Sequence, residues 1–187
     1  MKNVRDKVRK KNMREKTNLN NYVLIGFMGC GKTTIGKNLA EQTGWSNPDT
    51  DALLVEKAGM PVTDIFAREG EQGFRDRETE LLRQLVTDGR DEQIYSTGGG
   101  IVLRKENREL LRQLGCVIYL KVSPEEVLRR LGDDTTRPLL QGENRMEKVQ
   151  NLLSQRRAIY EECADRIISV DGRTPEEIAA EILKYNH

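Results

Sequence analysis

Residues 26–33 read GFMGCGKT and match the pattern G-x-x-x-x-G-K-[ST] at every fixed position. The preceding residues 22–25 (YVLI) are apolar and β-prone, and the following residues 34–40 (TIGKNLA) predict a helix. A phosphate-binding loop requires this strand-loop-helix context, because loop N–H groups and the positive end of the helix converge on an anion. An ordinary glycine-rich turn is the alternative, but the fixed positions and the flanking elements together favour a nucleotide site.

The loop offers three kinds of group to nucleotide phosphates. Its glycines let backbone N–H groups turn inward, Lys32 adds a full positive charge near the β and γ phosphates, and Thr33 can offer its hydroxyl to Mg²⁺. The predicted nucleotide-binding residues of the loop are Gly29, Cys30, Gly31, Lys32, Thr33 and Thr34. Because Cys30 stands at a helix N-terminus, where a thiolate is favoured, we hypothesise that its modification blocks nucleotide binding.

The composition limits the class of protein. A chain of 187 residues suits one domain with a substantial core, and no run approaches the roughly 18 apolar residues of a membrane span. Its three cysteines are widely spaced and include no C-x-x-C pair, which indicates neither a disulfide framework nor a zinc site. We therefore expect a cytoplasmic protein. The only histidine is the last residue, His187, which argues against catalysis by imidazole.

The N-terminus is strongly basic. Residues 1–16 hold eight basic and two acidic residues, net +6, and the remaining chain carries −5. Such an arm can bind nucleic acid or an anionic surface, but these residues include no aromatic side chain. We therefore predict a flexible basic tail over residues 1–20 with no nucleic-acid partner, and a single domain over residues 21–187.

Apolar β-prone segments alternate with helical patterns along the rest of the chain. Strands are predicted at residues 22–25, 94–96, 116–120 and 166–170. A further strand around Asn47 and Pro48 is expected to be short or to lie at an edge, because proline cannot donate to a ladder. Residues 123–126 (SPEE) and 174–177 (TPEE) predict two helix starts. The alternation predicts a three-layer α/β domain with a parallel sheet.

Two polar clusters follow predicted strands, where ligands bind in parallel α/β sheets. Asp49 and Asp51 place two carboxylates two residues apart, so that one could hold a metal-bound water and the other could accept a hydroxyl proton. Either carboxylate could instead only cap the next helix. Gly98, Gly99 and Gly100 are costly in entropy unless the backbone must approach a ligand or adopt a positive φ, and a flexible turn is the alternative.

Arginines form a third set of candidates. Arg75 lies one turn from both Glu71 and Glu78, so it could be a solvated ion-pair member. Arg156 lies on the apolar stripe of a predicted helix and needs an anionic partner, which could be an internal carboxylate or a bound ligand. Residues 129–145 carry arginines around two glycines, which is typical of either a mobile lid over phosphates or a solvated loop.

With these residues in view, the chain resembles the shikimate kinase family from residue 22 to the C-terminal helix. The motifs that carry the resemblance are GFMGCGKTT at 26–34, DTD at 49–51, IFA at 65–67, GE at 70–71, FR at 74–75, GGG at 98–100, RPLL at 137–140, and Arg156 four residues before Tyr160. The chain departs from the family at Asn47 and Pro48, where apolar or aromatic residues are usual. This departure bears on the second strand and on the pose of the two aspartates that follow it.

The resemblance implies a reaction and a fold. The reaction is an ATP- and Mg²⁺-dependent transfer of the γ-phosphate to the 3-hydroxyl of shikimate, giving shikimate 3-phosphate and ADP in aromatic amino-acid biosynthesis. The fold is the three-layer P-loop kinase fold of nucleoside monophosphate kinases, with a five-stranded parallel sheet flanked by helices. A lid is expected over about residues 132–144, and we expect a monomer.

The resemblance also implies roles for individual residues. Asp51 would bind the ring hydroxyls of shikimate and act as a base or orienting group, while Lys32 and Arg137 would act at the phosphates. The other implied contacts are Arg75, Arg156 and Gly98–Gly100 for shikimate, Thr33 and Asp49 for Mg²⁺, and Arg130, Arg173 and Pro175 beside adenine.

Three alternatives remain open at this point. Another small-molecule kinase of the same fold, such as gluconate kinase, would share the loop and lid, although the DTD, FR and GGG set favours shikimate. A catalytically silent relative that binds nucleotide or a partner is the second, against which the retained Lys32, Thr33, Asp49 and Asp51 argue. Binding of nucleic acid through the basic tail is the third.

Overall fold

The computed structural model describes residues 20–132 and 144–184. Three expected features lie outside these residues: almost all of the basic tail, Arg137, and all of the lid except its two ends. The rest of the chain forms strands and helices in alternation around one sheet.

Within the described residues, the sheet has four parallel strands in the order β2-β1-β3-β4. The strands are β1 (Tyr22–Ile25), β2 (Ile94–Ser96), β3 (Cys116–Lys121) and β4 (Arg166–Ser169). All four residues of β1 are buried, as is typical of a central strand in a parallel sheet covered on both faces. Leu24 is paired with Ser96 on one side and with Ile118 on the other, which sets the register of the centre.

The expectation of a fifth strand is wrong for the described residues, although the predicted segment lies where that strand would be. Residues 46–49 run along the outer edge of β2 and form only two isolated parallel bridges, Ser46 with Gln93 and Asp49 with Ser96. Pro48 has no N–H to donate, so a regular ladder cannot form across it. The side chain of Asn47 instead donates to the carbonyl oxygen of Ile94 over 2.6 Å.

Helices connect the strands and cover the sheet. They are α1 (Lys32–Thr43), α2 (Thr50–Ala58), α3 (Val62–Asp88), α4 (Lys105–Leu114), α5 (Pro124–Leu131), α6 (Arg145–Cys163) and α7 (Pro175–Leu183), with a short 3-10 turn at Ile101–Leu103. Both predicted helix starts are confirmed: the Ser123 hydroxyl caps α5, and Thr174 and Glu177 form a complete capping box on α7. The backbone of α3 departs from helical geometry at Gly70, where φ is 69° and ψ is −176°.

Each face of the sheet carries its own apolar core, which confirms the three-layer architecture. Leu24 of β1 belongs to a cluster shared with α1, α5 and α7. Val23 and Ile25 point the other way, into a cluster that includes Leu111 of α4 and Tyr160 of α6. The carboxyl ends of the strands, and the loops that follow them, are therefore held between two packed helical layers. Among the described residues, no helix is both long enough and apolar enough to cross a membrane.

Candidate active site

The phosphate loop joins the end of β1 to the start of α1, as predicted. Gly31 stands at the N-terminus of α1 with a φ of 96°, in the left-handed region that a residue with a Cβ rarely adopts. A Cβ on Gly26 would lie 2.7 Å from the carbonyl oxygen of Leu120, so the loop can leave the sheet here only as glycine. The loop thus has the close-packed backbone that directs N–H groups toward an anion at the helix start.

Lys32 folds back over the loop that precedes it. Its Nζ donates to the carbonyl oxygens of Gly26 and Phe27 over 2.8 and 3.0 Å. These two bonds hold the ammonium at the mouth of the loop, beside the N-terminus of α1, where a point charge can meet a phosphate oxygen.

Cys30 differs from the expectation of a reactive thiol. Its side chain is 0% exposed and packs in the same core as Leu24, with Sγ 3.5 Å from the Nζ of Lys32. A reagent can reach this thiol only if the loop opens. The predicted modification therefore depends on loop motion. The backbone N–H of Cys30 donates to the carbonyl oxygen of Phe27 over 3.2 Å, so it reaches a phosphate only by sharing or leaving this bond.

Asp49 serves as a helix cap and stands beside Thr33 at the same time. One carboxylate oxygen accepts from the N–H groups of Asp51 and Ala52, which caps α2. The other oxygen lies 3.5 Å from the hydroxyl of Thr33. The two roles that the sequence left open for Asp49, a cap of the next helix and a ligand near a metal ion, are therefore compatible.

The donor set at Thr33 and Asp49 fits Mg²⁺. A hydroxyl and a carboxylate are the hard oxygen ligands that this ion prefers, and Mg²⁺ commonly keeps several waters and takes phosphate oxygens to complete its shell. Within residues 20–132 and 144–184, no cluster of three or more His, Cys, Asp or Glu side chains could form an all-protein cage. A site with few protein ligands is the arrangement found beside bound nucleotides.

Asp51 and the glycine triplet lie against each other. A Cβ on Gly98 would stand 2.6 Å from Oδ1 of Asp51, so the absence of a side chain at Gly98 makes room for this carboxylate. The N–H of Gly98 donates to the hydroxyl of Thr50 over 3.1 Å. Asp51 and Gly98, which follow the second and third predicted strands, thus form one wall of the cleft.

Arg75 is not the solvated surface residue that the sequence allowed. Its side chain is 14% exposed, and Nη1 contacts Glu78 at 2.6 Å, a carboxylate that is 1% exposed. A side chain at Gly100 would collide with the Arg75 guanidinium. Glu71, the other carboxylate one turn away, lies farther from Arg75, at 3.6 Å.

Glu78 is a residue of this site that the sequence analysis missed as a site residue. Burial raises its pKa from 4.5 to about 7, the charge and hydrogen bond of Arg75 act against this rise, and the nearby Asp51 adds to it. The spacing from Arg75 to Glu78 was visible in the sequence, but the burial that distinguishes Glu78 from other glutamates of α3 was not.

Arg156 lies on the buried side of α6, as the apolar stripe predicted. Val149, Leu153 and Tyr160 of the same helix are buried, and the Arg156 guanidinium stands 5.9 Å from the ring centre of Phe27 in the phosphate loop. No carboxylate among the described residues forms an ion pair with it. The Arg156 guanidinium therefore projects from α6 toward the phosphate loop.

Arg130 connects α5 with the nucleotide side of the cleft. Its guanidinium donates to the carbonyl oxygens of Cys30 and Val170 over 3.1 and 2.8 Å and contacts Glu126 at 2.6 Å. Hydrogen bonds from Arg129 and Arg130 lower the pKa of Glu126 to about 2 despite partial desolvation. Glu126 therefore stays ionised and fixes Arg130 against the loop backbone.

A cleft of about 670 Å³ gathers most of the predicted residues. The predicted residues that line it are Gly29, Gly31, Lys32, Thr33, Thr34, Asp49, Asp51, Gly98, Gly99, Arg130, Arg173 and Pro175. Cys30, Arg75, Gly100 and Arg156 do not line it, and Arg137 lies outside the described residues. Residues that the sequence analysis did not select also line it, namely Met28, Ile35, Thr97, Arg129 and Ile178. Of these, Met28 stands within the phosphate-loop motif and Arg129 is the neighbour of Arg130.

Comparison with known proteins places this chain in a family. The sequence model described as shikimate kinase matches residues 28–186. A shikimate kinase of Enterococcus faecalis is 45% identical over 168 residues, covering 89% of this chain and 98% of that protein. One of Thermodesulfovibrio yellowstonii is 42% identical over 166 residues, covering 89% of this chain and 94% of that protein. A solved structure, shikimate kinase from Acinetobacter baumannii in complex with shikimate, has a TM-score of 0.82 at 40% identity and covers 90% of this chain and 93% of its own.

Proposed function

The chain belongs to the shikimate kinase family, whose reaction is the ATP-dependent phosphorylation of shikimate, and we propose that the two sides of its cleft divide this reaction between them. The phosphate loop and the start of α1 hold ATP. Asp51, Gly98 and Gly99 on the cleft wall hold shikimate together with Gly100, Arg75 and Arg156, which lie next to that wall.

The placement of Asp51 is the observation that carries this proposal. Asp51 lines the same cleft as Lys32 and Thr33 and lies directly against Gly98. It is thus the carboxylate that can face both a bound nucleotide and an acceptor lying on the triplet. Phosphoryl transfer to an alcohol needs such a carboxylate, because catalysis rests on positioning the hydroxyl and on accepting its proton.

On the donor side, the loop residues bind the phosphates of ATP. Backbone N–H groups of Gly29, Cys30, Gly31 and Thr34 surround the β and γ phosphates, and Lys32 neutralises part of their charge. At the far end of the cleft, Arg130, Arg173 and Pro175 border the adenine. Arg137, from the proposed lid over about residues 132–144, closes over the phosphates.

Thr33 and Asp49 would hold Mg²⁺ on this side, Asp49 through a water. One oxygen of Asp49 also caps α2. The ion would supply neutralisation of the negative charge on the phosphates of ATP. Thr33 and Asp49 are already oriented for this by the start of α1 and the cap of α2.

On the acceptor side, the carboxylate of shikimate meets the guanidinium groups of Arg75 and Arg156, and its ring lies on the glycine backbone. Asp51 accepts the hydrogen bond of the 3-hydroxyl and then its proton. The oxygen of that hydroxyl forms a bond to the γ-phosphorus as the bond from this phosphorus to the β-γ bridging oxygen breaks. The products are shikimate 3-phosphate and ADP, and the proton leaves on Asp51.

Turnover of ATP with separate acceptors tests this proposal. Shikimate, gluconate and nucleoside monophosphates are offered one at a time, and ADP release is measured with the wild-type protein and with a Lys32→Ala variant as the control for contaminating kinases. We expect ADP release that depends on shikimate and is lost in the variant. Absence of shikimate-dependent release, or an equal response to gluconate, would overturn the acceptor assignment. The cytoplasmic location, the monomeric state and the flexible tail remain predictions from the sequence.

A further inference from the structure

The phenol of Tyr160 is buried between α6 and the glycine triplet. Its hydroxyl donates to the carbonyl oxygen of Gly99 over 2.5 Å, and its side chain is 0% exposed. Its ring stacks on Tyr119 of β3, with ring centres 4.9 Å apart and planes 18° from parallel. Tyr160 is therefore held by the sheet on one side and holds the triplet on the other.

This hydrogen bond fixes the peptide between Gly99 and Gly100. In a trans peptide the C=O and the following N–H point in opposite directions, so a Gly99 carbonyl aimed at Tyr160 aims the Gly100 N–H away from it. Consecutive glycines do not set this orientation by themselves, because each has access to both signs of φ. A hydrogen bond from a residue outside the segment can hold such glycines in one conformation.

The tethered peptide lies between the two sides of the cleft. A Cβ on Gly99 would stand 3.4 Å from the carbonyl oxygen of Gly26 in the phosphate loop, and Gly100 abuts the guanidinium of Arg75. Rotation of this peptide would therefore alter both the surface beneath the acceptor and its distance from the donor loop.

Tyr160 is also linked to Arg156, which precedes it by one helical turn on the same face of α6. Burial raises the pKa of Tyr160, and the charge and hydrogen bonding of the Arg156 guanidinium act against that rise. Arg156 is held from the other side by the ring of Phe27.

We propose that Tyr160 is a positioning residue for the acceptor: its buried hydroxyl sets the Gly99–Gly100 peptide, one helical turn along α6 from Arg156. This proposal rests on the proposed function, because it assumes that the triplet and Arg156 contact shikimate. Tyr160 itself does not line the cleft and takes no part in proton transfer.

The variant Tyr160→Phe tests the proposal, because it removes the hydroxyl and keeps the ring that packs on Tyr119. The matched control is Tyr119→Phe, which removes the hydroxyl from the other ring of the same stack. Burial raises the pKa of Tyr119 to about 12, Cys30 adds to this rise and Arg157 acts against it, and no described hydrogen bond joins the Tyr119 hydroxyl to the triplet. Both variants are assayed at a temperature at which circular dichroism shows them folded.

We expect Tyr160→Phe to weaken shikimate binding about five- to tenfold, both as KM and as the dissociation constant from calorimetry, which is the effect of one lost neutral hydrogen bond. The KM for ATP should change less than about twofold, and Tyr119→Phe should leave both constants at the wild-type value. A purely structural role would lower the midpoint of thermal unfolding without separating the two substrates.

Unchanged shikimate affinity in Tyr160→Phe, equal weakening of ATP and shikimate, or the same loss in Tyr119→Phe would each overturn the proposal. These outcomes are distinct from failure of the proposed function, because that failure appears as absent shikimate-dependent turnover in the wild-type protein. The comparison between variants is made only against a wild-type protein that turns over shikimate.

Discussion

The side-chain amide of Asn47 donates to the carbonyl oxygen of Ile94 over 2.6 Å, in the place of the N–H that Pro48 lacks. The neighbouring ladder bonds are regular, with the N–H of Ile94 donating to Ser46 and the N–H of Ser96 donating to Pro48. Asn47 thus completes the hydrogen bonding of the segment that leads into Asp49. The Asn47 side chain therefore compensates for the N–H that Pro48 lacks.

This relationship predicts coupling between positions 47 and 48. Asn47→Ala should lower the free energy of unfolding by about 1–2 kcal/mol, because the Ile94 carbonyl loses its donor. In a Pro48→Ala background the same substitution should cost less, since the backbone N–H at position 48 can then donate to Ile94. Urea unfolding of the wild type, both single variants and the double variant gives the coupling energy. Equal costs in the two backgrounds would show that the side chain does not replace the missing N–H.

Glu78 predicts a pH dependence of stability. Its pKa in the folded protein, about 7, lies above the ordinary value of 4.5, so the folded state binds this proton more tightly than the unfolded state does. Its contribution to stability is therefore complete below pH 4.5 and is lost as the pH rises through 7.

Between pH 5 and pH 8 this loss should amount to roughly 2 kcal/mol, and Glu78→Gln, which stays neutral, should remove that part of the pH dependence. Glu80→Gln on the exposed side of the same helix is the control. Urea unfolding at the two pH values measures the difference. If Glu78→Gln and the wild type respond equally to pH, the carboxyl does not titrate in this range.

The sequence predicted those parts of the molecule that depend on local chemistry. The phosphate loop and the caps at Ser123 and Thr174 follow from residue types at fixed spacing, and the structure has them where the pattern indicates. The irregular edge at Pro48 also followed from the missing N–H, although its repair by the Asn47 side chain did not.

Burial that depends on contacts between distant segments could not be predicted in this way. The pairing of Arg75 with a buried Glu78 depends on which side of α3 faces the core, and several charged residues of that helix had similar spacing. The burial of Cys30 depends on how the loop packs on the sheet, whereas the sequence showed only its position before a helix. Arg137 and the lid were named from the family resemblance, and they stay predictions.

Arg156 predicts a selective loss of acceptor binding. Arg156→Ala should raise the KM for shikimate about 10- to 100-fold, because a charged hydrogen bond to a carboxylate contributes about 1.5–3 kcal/mol. The KM for ATP should change little, because none of the proposed contacts to ATP involves Arg156. Its exposed neighbour Arg157 provides the control variant, Arg157→Ala. An unchanged KM for shikimate in Arg156→Ala would remove Arg156 from the acceptor site.

Burial of Cys30 predicts slow modification that nucleotide suppresses further. Alkylation of the folded protein should label Cys116, which is partly exposed, well before Cys30, and ATP should slow labelling of Cys30 by holding the loop closed. Peptide mass spectrometry over time separates the sites. Once Cys30 is fully modified, ATP binding should be lost, and unchanged activity at stoichiometric modification would contradict the hypothesis.

The role of Asp51 is the central claim, and the kinetics of Asp51→Asn test it most directly. The substitution keeps the shape beside Gly98 and removes the proton acceptor, so kcat with shikimate should fall about 100-fold or more while the dissociation constant for ATP stays within about twofold. Asp64→Asn, at an exposed carboxylate near the start of α3, should behave like the wild type. Full turnover by Asp51→Asn would contradict the account.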